Sequence, residues 1–151
     1  MTKTRRIEIN VSRQRLDVFE DYKIVLSTPV STAFRGLGCE PGSLKTPPGK
    51  FVVSEKIGAG EPEGMVFRSR IATGEMADAR RSEDQITSRI LWLDGVDPSN
   101  ANTKGRYIYI HGTNDEARLG TPVSHGCIRL ANTAIVDLFE LAETGTPVTI
   151  R

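Results

Sequence analysis

Both histidines of this chain precede one of its two cysteines: His111 follows Tyr107-Ile108-Tyr109-Ile110, and His125 lies inside Ser124-His125-Gly126-Cys127-Ile128-Arg129. A thiol attacks as thiolate, and a free cysteine titrates only near pH 8.5. An imidazole, titrating near pH 6.5, can take that proton or hold the thiolate as an ion pair. The chemistry these residue types support is therefore nucleophilic attack by the Cys127 sulfur. Gly126 carries no side chain beside the thiol, so a substrate carbonyl could approach the backbone closely. The amides of Gly126 and Cys127 could then converge as an oxyanion hole, where one donor is worth on the order of 10²–10³ in rate.

Two imidazoles compete for the role of base. His125 stands two residues from Cys127 and would share its face on an extended backbone, although Gly126 intervenes. His111 ends a separate β-prone segment and can face the thiol from a neighbouring strand. It is favoured as base, with His125 positioning substrate or helping to stabilise an oxyanion. No acid flanks His111, so Gly112, Thr113 or Asn114 would orient its second ring nitrogen through a carbonyl or an amide. A zinc site built from His111, His125 and Cys127 is the rival arrangement. No second cysteine or carboxylate stands at a ligand spacing, and no metal is expected. Cys39 reads as an unpaired thiol in a Gly-rich loop.

The elements that must carry these residues are mostly strands. Ile7, Ile9 and Val11 alternate with polar neighbours. Leu16–Phe19 and Ile24–Leu26 flank Glu20–Lys23 as a hairpin. Phe51–Val53 predicts a strand, residues 55–64 a turn, and Val66-Phe67 the start of a strand running on through Ile71. The charged stretch from Thr73 to Ser88 is expected to be a solvated loop or short helix, with a substrate-covering flap as the alternative. Ile90–Leu93 fits a strand buried on both faces, and Tyr107–Ile110 a strand delivering His111 at its end. Asn132 is placed as the N-cap of one helix carrying Ile135, Val136, Leu138, Phe139 and Leu141, with Gly145 as its stop. Pro147–Ile150 closes the chain as a strand.

At 151 residues the chain fits one domain, 1–151. A hydrophobic content of 38% and a charged content of 26% are ordinary for a globular protein. A net charge of +1 gives no electrostatic case for nucleic acid or an anionic membrane. Lys3, Arg5 and Arg6 precede Ile-Glu-Ile-Asn-Val rather than the apolar run of a signal peptide, and no stretch approaches a membrane span. Met1-Thr2-Lys3-Thr4 reads as a natural start. The expectation is a cytoplasmic monomer, or a periplasmic or cell-wall protein if a leader has been removed.

His111-Gly112-Thr113-Asn114 together with Ser124-His125-Gly126-Cys127-Ile128-Arg129-Leu130 resembles the signature of L,D-transpeptidases with a YkuD-type catalytic domain. Ser12–Leu16, Pro29-Val30-Ser31-Thr32, Thr46-Pro47-Pro48-Gly49-Lys50-Phe51 and Ala131-Asn132 match further landmarks, so the resemblance covers almost the whole chain. It implies a mainly β fold, a sandwich-like mixed sheet with one short helix after the cysteine loop. It also implies acyl transfer on peptidoglycan stem peptides or muropeptides: Cys127 attacks the carbonyl joining residue three to terminal D-alanine, His111 takes the proton, and the Gly112 carbonyl orients His111. No cofactor is implied, and carbapenems become expected covalent inhibitors. The acceptor can be an amine, a free D-amino acid or water, the last making an L,D-carboxypeptidase. A peptidoglycan-binding module without activity is the alternative of another class. Arg129 is expected either to recognise a substrate carboxylate or to brace the loop by a salt bridge. Ser124 is expected to hydrogen-bond within the loop, and Tyr109 to line the cleft or simply to pack.

Overall fold

The computed structural model describes residues 4–151; the opening Met1-Thr2-Lys3 lies outside the described residues. Among the described residues, ten strands form one mixed sheet. They are β1 (Arg5–Asn10), β2 (Arg15–Glu20), β3 (Lys23–Pro29), β4 (Gly49–Ile57), β5 (Met65–Arg68), β6 (Ile71–Met76), β7 (Ile86–Gly95), β8 (Tyr109–Thr113), β9 (Ile128–Leu130) and β10 (Pro147–Ile150). The order is β3-β2-β1-β10-β4-β7-β5-β6, and β8 joins on β7 and carries β9 in parallel. The one α-helix among the described residues, α1 (Asn132–Leu141), directly follows β9. The architecture is the mainly β mixed sheet with a single short helix that the sequence predicts.

Period-two alternation splits the side chains into two cores. Ile7 and Ile9 pair with Val18 and Leu16 on one side and with Val148 and Ile150 on the other. These join Leu91, Leu93, Ile110, Ile128 and Leu130 in a core covered by Ile135, Leu138 and Phe139 of α1. Truncating a side chain such as Leu138 there would cost about 2–5 kcal/mol. The intervening residues face the other way. Ile90 of β7 and Tyr109 of β8 pack with Met65 and Phe67 of β5 in a smaller cluster that Trp92 and Cys127 adjoin. Tyr109 and Cys127 therefore stand on the sheet face turned away from α1.

Several local expectations are corrected. Strand β4 runs to Ile57, into the segment expected to turn. The charged stretch holds the end of β6, which is hairpinned onto β5, then a loop over residues 77–85 and the start of β7. That loop is held by Asn114, whose Nδ2 donates to the carbonyls of Asp78 and Glu83 and whose Oδ1 accepts from Gln85 N. Strand β8 begins only at Tyr109, because Tyr107 ends a 3₁₀ turn with φ 57°, a left-handed backbone that breaks extension. His111 consequently lies in the middle of β8 rather than at its end. Asn132 is the first helical residue, not the cap; the cap position is Ala131. The Asn132 side chain accepts instead from the hydroxyls of Thr87 and Ser88 and donates to Thr113 O. The helix stops at Leu141, before Gly145.

Candidate active site

Parallel pairing of β8 with β9 sets Ile110 against Ile128 and His111 against Arg129. Counting back along both strands puts Cys127 beside Tyr109, with His111 one side-chain step further along the same face. The sulfur sits between two backbone groups of the segment entering β8. Tyr109 N–H donates to Sγ at 3.3 Å, and the thiol donates to Tyr107 O at 3.3 Å. The left-handed backbone at Tyr107 lies two residues before the first residue of the strand, where its carbonyl meets the thiol.

His111 is fully buried. Its Nδ1 lies 2.6 Å from Gly112 O, an acceptor only, so the ring proton is on Nδ1. The buried Nε2 has no hydrogen-bond partner and carries a free lone pair. Burial lowers the pKa of His111; Asp84 and the Gly112 carbonyl oppose that, while Arg129 adds to it. The ring is thus neutral near pH 7. Gly112 is dictated by space, since a Cβ there would meet Thr87 O at 2.6 Å and Asn132 Oδ1 at 2.8 Å.

Cys127 keeps part of its surface in solvent, yet the sulfur is densely surrounded, and burial pushes the thiol pKa up to about 11. The Tyr109 amide, Arg129 and Arg106 pull it down, and Asp84 pushes it up. The Cys127 thiol and the His111 ring are therefore both neutral near pH 7. A standing thiolate–imidazolium pair is disfavoured by both shifts.

The turn before the cysteine is held from both sides. Ser124 Oγ donates to Cys127 O at 2.6 Å and accepts from Gly126 N at 3.2 Å. The Gly126 amide is thereby turned into the loop, and the amide lying against the sulfur belongs to Tyr109. Gly126 adopts φ 129°, and a Cβ would stand 3.2 Å from Lys45 O. Across the chain, Thr46 Oγ1 donates to Gly126 O and accepts from Ala33 N, both at 2.9 Å. Thr46 of the Thr-Pro-Pro-Gly segment is thus a positioning residue, and only its place in that segment signalled it.

Arg129 is buried, with Nε 3.3 Å from Asp84 Oδ1. It also lines a cleft of about 450 Å³ with Glu83, Asp84, Asp115, Arg118 and His125. Asp84, which also accepts from Thr113 Oγ1 at 3.3 Å, is a site residue that the charge-rich stretch concealed. His125 is exposed, its ring edge-on to Phe34 at 6.1 Å, on the side of the turn that faces this cleft. Tyr109 is buried against Trp92, and its hydroxyl accepts from Arg70 Nη1 at 3.0 Å. Cys39 and Cys127 are both free thiols. Among the described residues, no group of three or more His, Cys, Asp or Glu side chains is placed to hold a metal ion, and no helix is long and apolar enough to cross a membrane.

Residues 4–150 match the model of the L,D-transpeptidase catalytic domain, YkuD. The chain belongs to this family. The putative L,D-transpeptidase YqjB of Bacillus subtilis is 34% identical over 105 residues, which cover 70% of this chain and 51% of that protein. The L,D-transpeptidase from Mycobacterium smegmatis superposes with a TM-score of 0.65 at 17% identity, over 99% of this chain and 59% of that one. The L,D-transpeptidase LdtMt1, solved in complex with imipenem, superposes at 0.62 and 18%, over 99% and 59%. This L,D-transpeptidase domain spans between half and three-fifths of the length of these relatives.

Proposed function

We propose that this L,D-transpeptidase domain is a cysteine acyltransferase acting on D-amino-acid-terminated stem peptides of peptidoglycan. The observation that carries this is the arrangement of Cys127 and His111 on one sheet face. Gly112 O pins the His111 tautomer, and Nε2 is left without a partner. In the proposed sequence the donor carbonyl enters above Sγ, and the thiol proton passes to Nε2 as sulfur adds to the carbon. The imidazolium that forms is favoured by Asp84, on the loop held by Asn114. It returns the proton to the amine of the departing D-alanine, leaving a thioester on Cys127. An acceptor amine then loses its proton to Nε2 and takes the acyl group; water in its place gives the carboxypeptidase outcome. The mechanism requires neither metal nor organic cofactor. Imipenem, bound by the relative LdtMt1, is expected to acylate the same sulfur here.

The test is product analysis. A disaccharide-tetrapeptide is incubated alone and with a second D-amino acid, and the products are weighed. Release of D-alanine with incorporation of the added D-amino acid supports transfer, and a tripeptide in both incubations supports hydrolysis. Peptide bound without D-alanine release would leave a binding module.

A further inference from the structure

The β5–β6 hairpin brings a guanidinium to the aromatic residues that hold the nucleophile. Arg68 pairs with Ile71, so the connection is the two-residue turn Ser69-Arg70, with φ 49° and 65°. Two positive φ values are the mark of a type I′ turn, whose positions favour Asn and Gly rather than a long side chain. Bulky residues in that region are uncommon and gather at functional sites. The Arg70 guanidinium lies 4.7 Å from the centre of the Trp92 ring and 5.4 Å from that of Tyr107. Its Nη1 donates to Tyr109 Oη at 3.0 Å. Tyr107 and Tyr109 are the residues whose backbone touches Sγ. One tyrosine side chain thus separates the cation from the sulfur.

Arg70 has no carboxylate within ion-pair reach among the described residues. Arg68, on the same hairpin, is bound to Glu75 at 3.0 Å. The acid that acts on Arg70 through space, Glu55, is itself bound by Lys104 at 3.0 Å. A planar guanidinium has five N–H donors, and a neutral tyrosine hydroxyl takes one. What remains is a pre-oriented fork, one tyrosine side chain away from the nucleophile, that no protein carboxylate among the described residues engages.

We propose that Arg70 binds a free carboxylate of the donor peptide and so selects donors that carry one. This rests on the acyl-transfer function proposed above. The ligand is a planar carboxylate matched to a planar guanidinium. A donor offers two sources: the C-terminal carboxylate of the departing D-residue, or the side-chain carboxylate of a diamino acid at residue three that ends in a second amino-carboxylate centre.

Binding without turnover is the test. Cys127→Ala protein is titrated calorimetrically with three tetrapeptides: both carboxylates free, the side-chain carboxylate amidated, and the C-terminus amidated. Adding Arg70→Gln is expected to weaken the fully charged peptide roughly ten- to a hundredfold. It should leave unchanged the one amidated peptide that lacks the recognised group, which identifies the source. Arg70→Lys should recover part of the loss, keeping the charge without the fork. An equal loss for all three peptides, no loss for any, or no binding to the Arg70 protein overturns the proposal. D-Alanine release is measured separately with Cys127 intact, so the failure of acyl transfer and the failure of carboxylate recognition are distinguishable.

Discussion

In a Cys39→Ser background, leaving one thiol, iodoacetamide labelling followed by intact-protein mass reads the ionisation of Cys127 directly. Its burial pushes the thiol up to about 11. At pH 7 such a group is ionised in roughly one molecule in 10⁴, against roughly one in thirty for a free cysteine at 8.5. The free protein should therefore label on the order of 300-fold more slowly than a model thiol at neutral pH. Its rate should climb about tenfold per pH unit up to pH 10, because the reactive fraction is the ionised one. His111→Gln should leave that slope unchanged and still abolish turnover, since the imidazole takes the proton only while sulfur is attacking. Flat, fast labelling between pH 5 and 8 would refute the reasoning, for it would reveal a thiolate already paired with imidazolium.

Three further outcomes are expected. Thr46→Val keeps the shape but orphans Ala33 N–H and Gly126 O; urea unfolding should show a loss of about 1–3 kcal/mol for each buried group left unpaired. Gly112→Ala drives a Cβ into Thr87 O and Asn132 Oδ1; about 1–3 kcal/mol of stability should go, with kcat falling on the order of 10²-fold as His111 is displaced. The pH dependence of Tm has a sign at each end. His111 titrates lower when folded, so its contribution holds above about pH 6.5 and is lost as pH falls through the folded value. Cys127 titrates higher, so its contribution holds below about pH 8.5 and is lost as pH rises toward 11. His111→Gln should flatten the acid limb and Cys127→Ala the alkaline one.

The shared face of Tyr109 and His111 was legible in the sequence, because they alternate with Ile108 and Ile110 in a β-prone run; the short strand Ile128–Leu130, which brings Cys127 and Arg129 to that face, was not legible as a strand. For want of a neighbouring acid, the residues pointed to a backbone or amide group of Gly112, Thr113 or Asn114 as the orienting group for His111; only the family resemblance implied the Gly112 carbonyl, which the structure places 2.6 Å from Nδ1. What stayed hidden depends on contacts between distant segments. Thr46 reaches Gly126 across 80 positions, and nothing local marks its hydroxyl. Asp84 lay among charges that looked like a solvated loop; only the Asn114 clamp turns it toward Arg129. The Gly126 amide was expected in an oxyanion hole, but the Ser124 hydroxyl lies two residues away and takes it. Tyr107 scores as a strand residue by propensity, yet the 3₁₀ turn before it forces a left-handed backbone. Asn132 has the chemistry of a cap, and its amide is used across strands instead.

Rapid quenching of the protein with a disaccharide-tetrapeptide, followed by intact mass and peptide mapping, bears on all of this at once. The arrangement of Cys127 and His111 predicts a tripeptide acyl group on Cys127, formed together with one equivalent of D-alanine. The adduct should be missing in His111→Gln and present in His125→Gln. D-Alanine released at an undiminished rate by Cys127→Ala, with no adduct on the unaltered protein, would contradict it.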